Sequence, residues 1–381
     1  MARTIFFIVG EPSGDTLGAS LMRAMKEKER GLKFVGVGGP LMEAEGLSSI
    51  RPMEELCVMG LFEVLGELPR LLRLIKTVAS EVEDYKPDAL VTIDLPDFNF
   101  EVVKRLRKKK FNTKFIHYIA PSVWAWRSGR AKMVANIFDM LLCAFPFEPQ
   151  FFTKHGLETH YIGHSMVERV QDIQPQVQRD ILGFDAEDKV LGLFFGSRKN
   201  EFKAMGKTII DTAKQLQSDL PDVRFLVPTL PRNESYIKEL LNTHKLKAIV
   251  SSEVEKKSSI FAACDAAIAV SGTVALELAY LKVPHILTYK AHPVTAFIVR
   301  RLIQVDHIHL ANLIMDETII PEYIQDNSRA EKLRRAILPL LLDQKSIQAQ
   351  KEKLEALGRK LGEGDEASPS EKAADLILET I

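Results

Sequence analysis

The stretch 269–289, AVSGTVALELAYLKVPHILTY, constrains the fold more than any other part of the chain. The apolar run 266–270 predicts a buried strand, and the residues from Thr273 onward have the apolar spacing of a helix. A Lys-Val-Pro turn then leads into a second apolar run that ends at Tyr289. A strand, a helix and a second strand in close succession are typical of an α/β domain built on a parallel sheet.

The Ser-Gly turn of this stretch also has the composition of a phosphate-binding turn. Gly272 lets the backbone approach a ligand closely, and the helix that follows presents unpaired N–H groups and the positive end of its dipole. Ser271 or Thr273 can cap the helix, and Glu277 lies four residues after Thr273, so that both can face one ligand. We expect Thr273 to face a phosphate and Glu277 a sugar hydroxyl. The alternative is an ordinary turn followed by an exposed glutamate.

The alternation of strands and helices occurs twice along the chain. The first series begins with the strand 5–9, and the second begins with the strand 189–195 after a polar segment. Two such series predict two doubly wound parallel-sheet domains with a cleft between them. We place the first domain at 1–165 and the second at 166–344.

Composition excludes several classes of protein. The chain has 381 residues, of which 46% are hydrophobic, and is long enough for two cores. Its formal net charge is zero, which argues against a nucleic-acid partner. Cys57, Cys143 and Cys264 are far apart, which indicates a reducing compartment and no structural zinc. The N-terminal apolar run is too short for a signal peptide, and no run of about twenty apolar residues exists, so we expect a cytoplasmic protein without a membrane span.

Polar side chains follow the first series of strands at the ends where parallel sheets bind ligands. Glu11 and Ser13 come after the first strand, in Gly-Glu-Pro-Ser-Gly-Asp. The strand 89–93 is followed by Asp94 and Asp97, where a general base would be placed.

Both tryptophans of the chain lie in one loop after the strand 115–119. Trp124 and Trp126 are two residues apart, and Arg127 follows directly. This composition favours a loop shaped for a ligand over one shaped for packing alone.

A Gly-Ser-Arg turn ends the first strand of the second series. Ser197 and Arg198 offer a turn of phosphate size with a cation beside it. Arg198 can hold a diphosphate or can pair with a neighbouring carboxylate. No strand is followed by the dinucleotide fingerprint GxGxxG, so a dehydrogenase is the least favoured enzyme.

The segment 59–75 is unusually apolar for a surface helix. Its leucines fall at helical spacing, other apolar residues widen the stripe, and Arg70, Arg73 and Lys76 are interleaved. This fits either an interfacial helix that contacts lipid, or an ordinary helix buried on both sides or in a dimer contact. The apolar residues expected at a membrane surface are Leu61, Phe62, Leu65, Leu68 and Leu72.

Over nearly its whole length the chain resembles the lipid-A-disaccharide synthases, a family of inverting glycosyltransferases of the GT-B type. HYIAPSVWAWR and IDLPDFN are the most specific matches, whereas GSR and SGT alone would be weak. The segments that carry the resemblance are GEPSGDTLGA (10–19), VGVGGPLMEAEG (35–46), MGLFEVLGELPRLL (59–72), IDLPDFN (93–99), HYIAPSVWAWR (117–127), GSR (196–198), SGTVALE (271–277), LANLI (310–314) and PEYIQD (321–326).

The resemblance implies transfer of 2,3-diacylglucosamine from its UDP donor to O6 of 2,3-diacylglucosamine 1-phosphate. The products are a β-1,6-linked lipid A disaccharide 1-phosphate and UDP. Because the donor is α-linked, one direct displacement is implied, with a base that removes the acceptor proton. Asp97 is the first candidate for this base, and Glu11, Asp94 and His117 are the others. Asp97 can instead orient the sugar or cap the helix that follows.

The resemblance also implies a reaction without a metal or another cofactor. Arg198, the helix N-terminus at 271–273 and Asn312 would stabilise the charge of the leaving group. Glu277 would hold the ribose, and Gln325 would line the donor cleft.

Because both substrates carry acyl chains, the resemblance favours the interfacial interpretation of 59–75. It implies a peripheral enzyme on the cytoplasmic face of the inner membrane of a Gram-negative bacterium. The C-terminal helical segment, about 345–381, either packs back on the first domain or exchanges with a partner subunit in a homodimer.

Two other functions stay open. One is a UDP-N-acetylglucosamine 2-epimerase, which shares the two-domain plan but does not need the segment 59–75. The other is a non-catalytic lipid-binding protein, against which the intact Glu11, Asp97, Arg198 and Glu277 argue.

Overall fold

The chain forms two compact units, each built on one parallel sheet. The structure is a computed structural model that describes residues 3–56, 61–124, 129–170, 173, 175–254, 256–270, 272–291 and 307–381, with the side chains of 61–67 and 199 outside the description. Unit 1 consists of residues 1–167 and 361–381, and unit 2 consists of residues 168–360. The predicted boundary at 165 lies two residues from this division.

Unit 1 contains a seven-stranded sheet with the order β3-β2-β1-β4-β5-β6-β7. All neighbouring strands are parallel, and the order reverses direction between β1 and β4. The strands are β1 (Thr4–Val9), β2 (Lys33–Val37), β3 (Ser48–Ser49), β4 (Ala89–Ile93), β5 (Lys114–Tyr118), β6 (Met140–Cys143) and β7 (Glu158–Tyr161).

Helices cover both faces of this sheet, as expected for strands that are apolar on both sides. Phe6 and Ile8 of β1 face one core, whereas Ile5, Phe7 and Val9 face the other. The helices of unit 1 are α1 (Pro12–Lys28), α2 (Pro40–Ala44), α3 (Leu61–Tyr85), α4 (Pro96–Lys108), α5 (Gly129–Ile137) and α6 (Pro149–Thr153), with a short 3-10 helix (Met53–Leu56) and α7 (Met166–Arg169) at the boundary.

Unit 2 contains a six-stranded parallel sheet with the order β10-β9-β8-β11-β12-β13. The order again reverses, here between β8 and β11. The strands are β8 (Val190–Phe194), β9 (Arg224–Pro228), β10 (Ile249–Ser251), β11 (Ala266–Val270), β12 (His285–Tyr289) and β13 (Glu322–Ile324).

The helices of unit 2 surround this sheet. Phe202 and Ile209 on one helix and Leu333 and Ile337 on another pack into one core against the strands. The helices are α8 (Pro175–Leu182), α9 (Lys199–Asp219), α10 (Glu234–Thr243), α11 (Lys257–Ala262), α12 (Thr273–Tyr280), α13 (Leu310–Met315), α14 (Ala330–Leu342) and α15 (Gln344–Lys360), with 3-10 helices at Pro231–Asn233 and Gln325–Asn327.

The last helix, α16 (Pro369–Thr380), belongs to unit 1. Ala373, Ala374 and Ile377 are fully buried in the core that also contains α1. Helix α15, which begins at Gln344, belongs instead to unit 2. The return of the chain to unit 1 therefore starts at 361, later than the predicted position near 345.

Candidate active site

A cavity of about 380 Å³ lies at the carboxyl edge of the sheet in unit 2. Its walls come from the loops after β8, β9, β10 and β11 and from α11. Parallel sheets bind ligands where the strand order reverses, because the loops of the two strands diverge there, and β8 and β11 form such a point. The lining residues are Phe194, Gly196, Ser197, Arg198, Glu201, Pro228, Thr229, Leu230, Ser251, Glu253, Val254, Lys257, Ile260, Phe261, Val270, Gly272, Thr273 and Val274.

The cavity combines apolar rings with cations. Phe194 and Phe261 meet edge to face, with their ring centroids 4.7 Å apart. Arg198 and Lys257 bring positive charge to the same cavity. A few polar groups in a mostly apolar pocket suit a ligand that joins a flat ring to an anionic group.

The turn after β8 places Ser197 and Arg198 on the cavity wall. Gly196 has a φ of +95°, which favours glycine. The Arg198 side chain is 81% exposed, and one guanidinium nitrogen lies 3.3 Å from Glu201. Of the two predicted roles for Arg198, the structure shows the carboxylate pair and leaves most of the guanidinium accessible.

The turn after β11 brings Gly272 and Thr273 to the same cavity. Gly272 has a φ of +145° and lies at the N-cap position of α12, and Thr273 is exposed in the first turn. Ser271 lies outside the described residues. The turns after both strands at the reversal point therefore line one cavity.

Glu277, which was expected to face a ligand together with Thr273, is not among the residues that line the cavity. Its side chain is 7% exposed, and its carboxylate accepts hydrogen bonds from Ser258 Oγ at 2.6 Å and Lys257 Nζ at 2.5 Å. Both carboxylate oxygens thus have partners on α11. Lys257, which the sequence analysis missed, is the member of this group that lines the cavity.

Asn312 is fully buried and its amide has no free position for a leaving group, contrary to the prediction. Its Nδ2 donates to the carbonyl of Ile320 and to Glu322 Oε1, both at 2.8 Å. Its Oδ1 accepts from the backbone N–H groups of Ile319 and Ile320 at 3.0 and 2.9 Å. The side chain therefore fixes the loop between α13 and β13.

Gln325 does not line the described cavity either. Its side-chain amide pairs with the backbone of Ala291, the oxygen accepting at 3.0 Å and the nitrogen donating at 3.3 Å. Its φ of +53° places it in the left-handed region at the end of β13. The structure thus gives Gln325 a turn-forming position.

A second group of polar residues lies at the reversal point of unit 1, between β1 and β4. Glu11 follows β1 and Asp94 follows β4. Burial and the nearby charge of Asp94 raise the pKa of Glu11, and burial raises the pKa of Asp94. Asp94 and Leu95 both have positive φ, +49° and +44°, a conformation that costs energy for residues other than glycine and concentrates at functional sites. Ser13 lies nearby in the first turn of α1 and is exposed.

Asp97 lies in the first turn of α4 with a side chain that is 88% exposed. Its Oδ1 accepts a hydrogen bond from Arg130 at 2.6 Å, and the Arg130 side chain is only 18% exposed. The Arg130 guanidinium also stacks over Phe100, 5.0 Å from the ring centroid. The N-cap residue of α4 is Leu95, so Asp97 does not cap this helix. Asp97 is accessible to a substrate and is held by a cation that the sequence analysis did not single out.

His117 is excluded as a surface base, because it is fully buried in β5. Its ring packs against Phe100 and Phe138, and its Nδ1 lies 2.8 Å from Thr92 Oγ1. Burial and the charge of Arg130 lower the pKa of His117 to about 3, so the ring is neutral. This corrects its place among the candidate bases.

Trp124 is half-buried after β5, and its ring meets Phe147 edge to face at 5.5 Å. Trp126 and Arg127 lie outside the described residues. Beside Trp124 lies Glu148, a buried carboxyl that the sequence analysis missed although it follows β6 in Pro-Phe-Glu. Burial raises the pKa of Glu148 to about 8, although the backbone N–H of Phe145 and the indole of Trp124 favour its charged form.

Helix α3 is buried on one side and exposes both leucines and basic residues on the other. Leu74, Ile75 and Val78 are buried against unit 1. Leu68 and Leu72 are 46% and 54% exposed. From residue 68 onward, where its side chains are described, the helix is therefore not buried on both sides. The side chains of Leu61, Phe62 and Leu65 lie outside the described residues.

The described part of the chain contains neither a membrane-spanning helix nor a candidate metal site. None of its helices is long and apolar enough to cross a membrane. None of its groups of His, Cys, Asp and Glu could hold a metal ion.

Comparison with known sequences gives consistent matches. Residues 5–377 match the family described as lipid-A-disaccharide synthetase. Lipid-A-disaccharide synthase of Paramagnetospirillum magneticum is 41% identical over 99% of this chain and 97% of that protein. The protein of the same name from Rhodospirillum centenum is 40% identical over 99% of this chain and 94% of that protein.

Comparison with solved structures concerns the fold alone, because the identities are low. UDP-GlcNAc 2-epimerase from Neisseria meningitidis bound to UDP-GlcNAc has a TM-score of 0.66 and 12% identity, over 99% of this chain and all of that chain (100%). The glycotransferase of kitacinnamycin has a TM-score of 0.66 and 14% identity, over 100% of this chain and 99% of that chain. These similarities confirm the predicted GT-B type of α/β fold.

Proposed function

This chain belongs to the lipid-A-disaccharide synthetase family, and from this membership we propose the reaction that it catalyses. It is a glycosyltransferase that moves 2,3-diacylglucosamine from UDP-2,3-diacylglucosamine to O6 of 2,3-diacylglucosamine 1-phosphate. The products are the β-1,6-linked disaccharide 1-phosphate and UDP. The observation that carries this conclusion is the match over residues 5–377 together with 41% identity over 99% of the chain.

We assign the UDP part of the donor to the cavity of unit 2. Phe194 and Phe261 offer apolar rings for a base, and Arg198 and Thr273 offer a cation and a helix N-terminus for the diphosphate. The negative charge that develops on the leaving UDP is stabilised by these groups, and we propose that no metal ion is needed. The crystal structure of the epimerase of the same fold contains bound UDP-GlcNAc, which is in keeping with this assignment.

We assign the general base to Asp97 of unit 1. In a single displacement the O6 hydroxyl of the acceptor gives its proton to the Asp97 carboxylate while O6 bonds to C1 of the donor. The bond from C1 to the diphosphate oxygen breaks, and its electrons leave with UDP. Exposure of Asp97 and its ion pair with Arg130 support this role, since they make the carboxylate accessible and hold it in place.

Glu11 and Asp94 fit a different role at the same sheet edge. Both carboxyls are partly withdrawn from water, which raises the pKa of each, and the charge of Asp94 raises the pKa of Glu11 further. We propose that they accept hydrogen bonds from sugar hydroxyls of the acceptor. They remain the alternative bases if Asp97 proves dispensable.

Contact with the membrane is the remaining part of the proposal. The exposed Leu68 and Leu72 of α3 lie on the same helix as the exposed Arg70, Arg73 and Lys76. Leucines that enter the lipid surface beside cations that pair with anionic lipid are the composition of an interfacial helix. We propose that α3 docks the enzyme on the cytoplasmic face of the inner membrane, where the acyl chains of both substrates lie.

The experiment that tests the base compares the wild type with Asp97→Asn and Glu101→Gln in detergent with EDTA. Glu101 lies on the same helix, is exposed and pairs only with Lys104 among its described contacts, so it controls for loss of a surface charge. We expect kcat of Asp97→Asn to fall about a hundredfold or more, or about 3 kcal/mol of barrier. Glu101→Gln should stay within about twofold of the wild type. Equal rates for all three proteins would remove Asp97 as the base and leave Glu11 and Asp94.

A further inference from the structure

The N–H groups of the turn after β8 already have an anionic partner within the chain. Glu201 lies in the first turn of α9, and its Oε2 accepts from the backbone N–H groups of Ser197 and Arg198 at 2.7 and 3.1 Å. Its Oε1 lies 3.3 Å from the Arg198 guanidinium. The Arg198 guanidinium is the cation assigned above to the diphosphate, and the two N–H groups lie in the same turn.

The Glu201 carboxylate is built into this turn and is not a chance surface contact. Its side chain is 11% exposed, whereas that of Arg198 is 81% exposed. A Cβ at position 196 would collide with Glu201 Oε2, so glycine at this position makes room for the carboxylate as well as for the turn. Gly196, Ser197, Arg198 and Glu201 all line the cavity of unit 2.

A phosphate oxygen at this turn and the Glu201 carboxylate would compete for the same donors. Each backbone N–H donates one hydrogen bond at full strength, and two anions a few ångströms apart repel each other in a partly buried site. Glu201 therefore occupies the donors that a phosphate oxygen would need at this turn.

We propose that Glu201 is an internal competitor of the nucleotide, which satisfies the turn when the cavity is empty and must give way when a diphosphate binds. Its effect is to weaken the binding of UDP and so to ease release of the product. This inference rests on the proposed function, because it takes the cavity of unit 2 as the UDP site.

The test is calorimetric titration of the full-length protein with UDP, using wild type, Glu201→Gln and Asp211→Asn. Glutamine keeps an oxygen that can accept from one N–H of the turn but loses the charge. Asp211 lies on the same helix in an ion pair with Lys207, away from the cavity, and its change removes the same charge. We expect the dissociation constant of UDP to fall roughly tenfold in Glu201→Gln and to change less than about twofold in Asp211→Asn.

Two outcomes would overturn the inference in distinguishable ways. If wild type binds UDP and Glu201→Gln binds it equally or more weakly while still folded, Glu201 is only a cap of α9 and the assignment of the UDP site stands. If wild type binds no UDP, both the inference and the donor site are wrong. If Glu201→Gln does not fold, the same titration is done with Glu201→Asp. Its carboxylate is one methylene shorter and withdraws from the turn, so UDP should bind more tightly than to wild type.

Discussion

Asp97 shows how single residues of this site depend on their neighbours. Its side chain is 88% exposed and would be free to move, but Arg130, at 18% exposure, fixes it through a 2.6 Å hydrogen bond. Arg130 is in turn stacked on Phe100, whose ring packs against the buried His117. His117 therefore supports the candidate base from the core, although it cannot be a base itself.

The buried Glu148 is expected to make the stability of the protein depend on pH. Its folded pKa of about 8 lies above the usual 4.5, so the folded protein keeps a proton that the unfolded chain has lost. Its contribution to stability is fully present below pH ~4.5, declines as the pH rises, and reaches its lowest value above pH ~8. We expect Glu148→Gln, which stays neutral, to gain stability relative to wild type between pH 5 and 8.5, by an amount on the order of a few kcal/mol.

Urea unfolding of both proteins at pH 5, 7 and 8.5 measures this difference. A gap in the free energy of unfolding that grows with pH supports a buried, protonated carboxyl beside Trp124. If the difference in the free energy of unfolding between the two proteins is the same at all three pH values, Glu148 does not titrate between pH 5 and 8.5.

Among the secondary-structure elements, α3 is the one that we expect to bind the membrane. Leu68→Glu and Leu72→Glu should each lower the fraction of protein that sediments with anionic phospholipid vesicles, by about threefold or more, because each replaces an inserted side chain with a charge that lipid repels. Both leucines are more than 40% exposed, so the fold should lose little stability. Leu41→Glu is the matched control, since Leu41 is 50% exposed on α2 in the same unit. If the α3 variants sediment with vesicles as the wild type does, the exposed leucines of α3 do not bind lipid. Contact with another protein would then be the role of this face.

The sequence predicted elements better than it predicted the environment of side chains on them. Runs of apolar residues followed by turns identify parallel strands, because such strands are buried on both faces. Whether a polar side chain at a strand end faces the core or the ligand depends on contacts with distant segments. His117 meets Thr92 of the neighbouring strand, and Asn312 meets Glu322 across a loop. Glu201 was not singled out from the sequence either, because the residue three positions before it is Arg198 and not the serine or threonine of a capping-box pattern.

At the scale of the whole molecule, the two units repeat one plan. Each parallel sheet reverses its strand order once. The loops at the reversal carry Glu11, Asp94 and Asp97 in unit 1 and Ser197, Arg198 and Thr273 in unit 2. The polar residues of these loops were predicted from the sequence, whereas the strand order was not. The fold alone does not determine the reaction, because an epimerase and a glycotransferase both share it. Their sequences are 12% and 14% identical to this chain. The choice rests on family membership and on the residues at the strand ends.

The most direct test of the proposed glycosyl transfer is the chemical structure of its product. Wild-type protein is incubated with UDP-2,3-diacylglucosamine alone and together with 2,3-diacylglucosamine 1-phosphate, and the sugars are analysed by mass spectrometry and NMR. We expect UDP to be released only when the acceptor is present, and the disaccharide to have a β-1,6 linkage, because one displacement inverts the α-linked donor. An epimerised sugar nucleotide from the donor alone, or an α-linked disaccharide, would contradict this expectation.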